Sequence, residues 1–101
     1  MIKIDVKKND NKINYISVRG HSGYDEYGKD IVCASASTII ITSVNAILRI
    51  DESSITYKQD EGFIDINILK HTKTIDILLT NMIELLQNLE QDYKKNIKIN
   101  L

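Results

Sequence analysis

The sequence predicts an α+β fold: a two-layer sandwich of two helices on a mainly antiparallel five-stranded sheet, in the order ββαββαβ. Three observations carry this expectation. Apolar and polar residues alternate in two pairs of short segments, 2–8 with 13–20 and 55–58 with 63–69. That is the period of half-buried strands joined as hairpins. Two longer stretches, 31–49 and 74–93, space their apolar residues by three and four, as helices with one buried face do. The segments follow one another without repeats, low-complexity tracts or linkers, so residues 1–101 make one domain.

Each element has its own grounds. Ile2, Ile4 and Val6 share one face of the first strand, and Lys3, Asp5 and Lys7 the other. Asn9-Asp10-Asn11-Lys12 is turn chemistry, because Asn and Asp tolerate left-handed backbone. Ile16 and Val18 resume the alternation. Asp30 is the expected N-cap of a helix running to about Arg49, with Val32, Ala36, Ile39, Ile40, Val44, Ile47 and Leu48 as its apolar residues. This helix is rich in β-branched residues, so packing rather than propensity must hold it. Its hydroxyl residues, Ser35, Ser37, Thr38, Thr42 and Ser43, read as small groups bonded back to the helix. Gln59 to Gly62 is the turn of the second hairpin, in which Ile64, Ile66 and Ile68 alternate with Asp65 and Asn67. Thr72 or Thr74 caps the second helix, whose stripe is Ile75, Leu78, Leu79, Met82, Leu85, Leu86 and Leu89. Lys94 to Asn96 ends it, and Ile97, Ile99 and Leu101 form a short last strand.

Composition excludes several functional classes. Thirteen Lys and Arg against fourteen Asp and Glu leave a net charge of −1, without the basic excess of a nucleic-acid footprint. A hydrophobic content of 43% is too high for a disordered chain. No apolar run is expected to reach the ~20 residues of a membrane span, and the first residues lack the pattern of a signal peptide. The expected location is the cytoplasm. The one cysteine, Cys33, excludes an internal disulfide framework and a multi-cysteine metal site. His71 has no companion at ligand spacing and reads as a surface residue. No metal or cofactor is expected.

Cys33 is either a small buried apolar residue or a reactive thiol. Its placement favours chemistry. It lies in the first turn of the first helix, where unpaired N–H groups favour a thiolate and can line an oxyanion site. His21 lies twelve positions earlier, at the end of a strand, in a position to take and return a proton. Between them runs a polar loop bracketed by Gly23 and Gly28, carrying Tyr24 and Tyr27. It reads as a lid hinged at its glycines, or as a solvated loop whose tyrosines cover an apolar edge.

Gly20-His21-Ser22-Gly23, followed by Gly28-Lys29-Asp30-Ile31-Val32-Cys33-Ala34, resembles the signature of the ribosomal-processing cysteine protease family (Prp, the YsxB-like proteins). The resemblance extends over the whole chain. It implies a small homodimeric endopeptidase without cofactors. Such an enzyme removes the N-terminal extension of the twenty-seventh large-subunit ribosomal protein, so the partner is a precursor with an apolar leader, not a nucleic acid or a membrane. It implies that Cys33 is the nucleophile and His21 the general base and acid, with Asp30 in a supporting role. The loop residues Gly20, Ser22, Gly23, Tyr24, Tyr27 and Gly28 are then expected to contact the leader, which can also pair with an exposed strand edge. Ser22 stands where the family often has alanine, and Ser35-Ala36 where it often has alanine and valine; Ser37 matches a common serine. These departures bear on subsite preference. Two rivals are a ribosome-assembly adaptor that binds an apolar segment without cutting it, and a thiol acyl transferase.

Overall fold

Seven segments carry the predicted order in the computed structural model, which describes residues 1–26 and 28–101. They are β1 (Ile2–Asn9), β2 (Lys12–Arg19), α1 (Ile31–Ile50), β3 (Ile55–Asp60), β4 (Phe63–Ile68), α2 (Lys73–Asp92) and β5 (Ile97–Asn100). The strands form one sheet in the order β3-β4-β2-β1-β5. All neighbours are antiparallel except β1 and β5, which pair in parallel from Ile2↔Ile97 to Asp5↔Asn100. One edge of the sheet is thus formed by the C-terminal strand lying beside the N-terminal one. Leu101, expected in that strand, lies beyond it and is exposed.

The alternation is met on every strand. Ile2, Ile4, Val6, Ile16, Val18, Ile64, Ile66 and Ile68 are buried on the face that the helices cover. Ile13 is buried too, although it breaks parity with Ile16. The register shift between Lys7 and Lys8 accounts for this, since a bulge lets two residues oppose one and resets which face follows. On the open face Asp65 accepts hydrogen bonds from Tyr15 at 2.6 Å and Arg19 at 2.8 Å, and the Arg19 guanidinium lies 5.1 Å from the centre of the Phe63 ring.

Both helices start where the sequence places a cap. Asp30 accepts from the N–H groups of Val32 and Cys33, and Thr72 from that of Ile75. Of the two candidates for the second cap, Thr72 holds the position. Ser35 and Ser43 donate to the carbonyls four residues earlier, as expected of hydroxyls on a packed helix. The α2 stripe needs two corrections. Leu85 is 42% exposed, whereas Ile83, outside the expected stripe, is buried. His71 is not a free surface residue: it is half-buried, and its Nδ1 lies 2.7 Å from Asp76.

The expectation about membrane-length segments also needs correction. α1 has 20 residues, only one of them charged (Arg49), and an 18-residue stretch of it has a mean hydropathy of 2.0, so it is long and apolar enough to cross a membrane. Its Val32, Ala36, Ile40, Val44 and Ile47 belong to the same buried cluster as the strand isoleucines, which makes it the core helix of this domain. Individual short runs concealed this, because serines and threonines interrupt the isoleucines without adding charge.

Candidate active site

The site is built where the end of β2 meets the start of α1. Gly20 follows β2 with φ of 88°, and its N–H donates to the Gly62 carbonyl at 2.9 Å. A side chain at position 20 would also place its Cβ 2.5 Å from the Met1 carbonyl oxygen. Both the left-handed backbone and the close approach therefore demand glycine. The chain turns there and delivers His21 to the surface and Ser22 to the interior, with Ser22 only 2% exposed. The His21 ring stands over the β3–β4 turn: a Cβ at Gly62 would lie 3.6 Å from its Nε2.

Cys33 is half-buried in the first turn of α1. Its Sγ accepts a hydrogen bond from the Ser22 N–H at 3.3 Å. That bond brings the His21-Ser22 strand end onto the helix start, as the sequence required for any joint chemistry. Among the described residues no hydrogen bond joins the imidazole to the thiol directly. Catalytic contacts of this kind commonly tighten only when substrate enters.

Asp30 organises the loop. One carboxylate oxygen accepts from the Val32 and Cys33 N–H groups at 3.0 Å. The other accepts from the Ser22 hydroxyl and from the Tyr24 N–H at 3.1 Å. Burial would raise the Asp30 pKa, but the hydrogen bonds from Ser22 and the Cys33, Asp25 and Tyr24 amides overcome it and bring the pKa down to about 2. Asp30 touches the cap and the loop and makes no hydrogen bond to His21, so it supports the site as a scaffold and does not complete a triad.

Two sequence expectations change here. The helix-start amides were expected to line an oxyanion site, but Asp30 occupies three of them: Val32 and Cys33 donate to its side chain, and Ala34 to its carbonyl at 3.1 Å. The main-chain donor that remains at the sulfur is Ser22. Ser22 was expected to contact a peptide, yet its side chain is buried against Asp30, so only its backbone faces the thiol.

Of the remaining loop residues, Gly23 and Gly28 are exposed with φ of 68° and 87°. Tyr24 is 46% exposed and meets the Tyr93 ring edge-on, with the centroids 5.5 Å apart. The loop is thereby docked on the end of α2. Tyr27 lies outside the described residues. Sequence reasoning missed Asn96, whose side-chain amide donates to the Ser22 carbonyl at 3.1 Å. Nothing in its local pattern distinguishes it from an ordinary helix terminator.

The chain as a whole matches known proteins. The family model described as Cysteine protease Prp matches residues 1–98. A ribosomal processing cysteine protease Prp of Staphylococcus aureus is 35% identical over 99% of this chain and 98% of its own. A crystal structure of the S. aureus protease with a covalently linked product peptide superposes with a TM-score of 0.94 at 34% identity, covering 99% of this chain and 98% of the other. A second S. aureus structure, holding a substrate peptide, gives a TM-score of 0.87 at 33% identity with the same coverage. A whole-chain match in sequence and fold, around one cysteine set at a helix start beside a strand-end histidine, establishes that this chain belongs to the Prp family of cysteine proteases.

Proposed function

We propose that this protease removes the N-terminal extension from the twenty-seventh protein of the large ribosomal subunit, in the cytoplasm, as a homodimer and without metal or cofactor. The observation that carries the reading is the Ser22 N–H bond to the Cys33 sulfur, which sets the residue after His21 against the only thiol of the chain. Its relatives are named for ribosomal processing, and two structures of one relative hold peptides.

In this reading His21 takes the Cys33 proton. The sulfur, held as a thiolate with the help of the Ser22 N–H, attacks the scissile carbonyl carbon. As the tetrahedral adduct collapses, the C–N bond breaks and His21 returns the proton to the departing amine. Water, deprotonated by His21, then attacks the thioester; the C–S bond breaks, the leader leaves with a free carboxylate at its C-terminus, and the proton on His21 returns to the sulfur. Gly20, Gly23, Tyr24 and Gly28 are the loop residues that contact the leader in this reading, with the loop as a lid. The exposed edges of the sheet are β3 and β5. β3 runs into the turn that meets His21, which makes it the edge for strand addition by the leader. Leader peptides with N-methylated backbone should then bind more weakly.

Incubation with the ribosomal precursor, read by mass spectrometry, tests the function. Cleavage by wild type, with loss of at least about a thousandfold in Cys33→Ala and His21→Ala, is expected of residues acting in one covalent mechanism. Equal processing by Cys33→Ala, or none by wild type, would overturn it. Binding without cleavage would return the adaptor reading.

A further inference from the structure

The donor that faces the sulfur sits on a residue with every polar group engaged. The Ser22 N–H donates to Sγ at 3.3 Å, its hydroxyl donates to Asp30, and its carbonyl accepts from Asn96 Nδ2 at 3.1 Å. The first two tethers are local. The third comes from 74 positions away, on the connection between α2 and β5. Asn96 is itself held from both sides. Its N–H donates to the Tyr93 carbonyl at 2.9 Å, and its carbonyl accepts from the Ile2 N–H at 2.8 Å. A half-buried side chain fixed to the end of α2 and the start of β1 therefore reaches across to the segment that presents the donor.

The need for such a clamp follows from what lies next to it. Gly23 comes directly after Ser22, is exposed, and has φ of 68°. A glycine leaves the adjoining peptide with more freedom than any other residue would. Without the Asn96 bond, the Ser22 carbonyl would lose its partner, and the Ser22–Gly23 peptide would be held only through its neighbours, among them the Tyr24 N–H bonded to Asp30 at 3.1 Å. The Val32 and Cys33 amides at the helix start cannot substitute for a misplaced donor, because both are committed to Asp30. An amide aimed at a reacting centre stabilises charge only while its direction is fixed in advance.

We infer that Asn96 is a positioning residue of the protease: by holding the Ser22 carbonyl it aims the Ser22 N–H at the Cys33 sulfur, where that N–H favours the thiolate. Asn96 acts through the Ser22 backbone and touches neither the sulfur nor the substrate. The inference rests on the reading of Cys33 as the nucleophile.

Asn96→Ala and the near-isosteric Asn96→Leu test it, each first shown by circular dichroism to be folded at the assay temperature. The first readout is the pH dependence of Cys33 alkylation by iodoacetamide, which needs no substrate. Its midpoint should move up by about one unit, the size expected when one hydrogen bond to an ion is weakened. The second readout is steady-state cleavage of a leader peptide. There kcat should fall about ten- to a hundredfold, with KM within about twofold of wild type, as for a small misplacement of a reacting group. A folded variant whose alkylation midpoint matches wild type would overturn the inference, whatever its cleavage rate. So would failure of both variants to fold, since Asn96 would then serve the fold alone. If wild type itself does not cleave the peptide, the proteolytic reading fails, and the alkylation midpoint still decides the role of Asn96.

Discussion

At the scale of single residues, Asp30 does the most to shape the site. It caps α1, ties Ser22 and Tyr24, and remains ionised with its pKa brought to about 2 from 3.8. The ionised form is the one the fold stabilises. Its contribution is therefore complete above pH 3.8 and is lost as the pH falls from there toward about 2. Asp30→Asn should remove this part of the acid sensitivity, and acid titration of the two proteins by circular dichroism should show wild type losing more stability than the variant across that interval. Gly20 is the second such residue. Gly20→Ala would combine left-handed backbone with a Cβ at 2.5 Å from the Met1 carbonyl oxygen. A loss of about 2 kcal/mol or more is expected in urea denaturation, from strain and overpacking together. The role of Asp30 as a cap was legible in the sequence, because capping depends on neighbours two and three positions away. The requirement for glycine at position 20 was not, because the atom that enforces it belongs to the first residue.

At the scale of elements, periodicity separates faces well and edges poorly. In α2, Leu86 is fully buried and Leu85 is 42% exposed, although both fit the apolar stripe. Leu86→Ala should cost about 2–5 kcal/mol by removing a close-packed side chain. Leu85→Ala should cost far less in the isolated subunit, and equilibrium urea curves of the two variants make the comparison. Thr72→Ala should cost about 1 kcal/mol through the lost cap, measured in the same way. The strands were legible for the same reason as the cap: a period of two assigns faces without knowledge of the rest of the fold. The bulge between Lys7 and Lys8, which brings Ile13 inward, depends on how the turn closes and left no local signal.

At the scale of the molecule, α1 joins two functions that conflict on the surface. Its first turn carries Cys33, the proposed nucleophile, while Ile31 and Ile41 remain exposed at 50% and 38% on a helix with one charge. Exposed apolar residues on so small a domain are suited to a second copy, which supports the proposed homodimer. The Cα radius of gyration of the single chain is 13.2 Å, the size of a compact ~100-residue domain. Small-angle scattering should give a clearly larger value for the native protein. Ile41→Glu should bring it back toward that of one chain. A wild-type protein that scatters as a single chain at micromolar concentration would remove the dimer from the account.

By itself, the sequence determined the order of elements, the face that most of them present to the core, the cap of the first helix, and the placement of one cysteine and one histidine on either side of a glycine-bracketed loop. These properties repeat with a short period or act between near neighbours, so they are written locally. Only the tertiary structure decided that the His21 ring stands over Gly62, that β5 lies parallel to β1, that Asp30 occupies the helix-start amides, and that Asn96 holds Ser22 from 74 positions away. Those contacts follow from how the layers pack and how the last strand closes the sheet. Packing joins residues with no regard to their separation along the chain, so no local pattern carries that information.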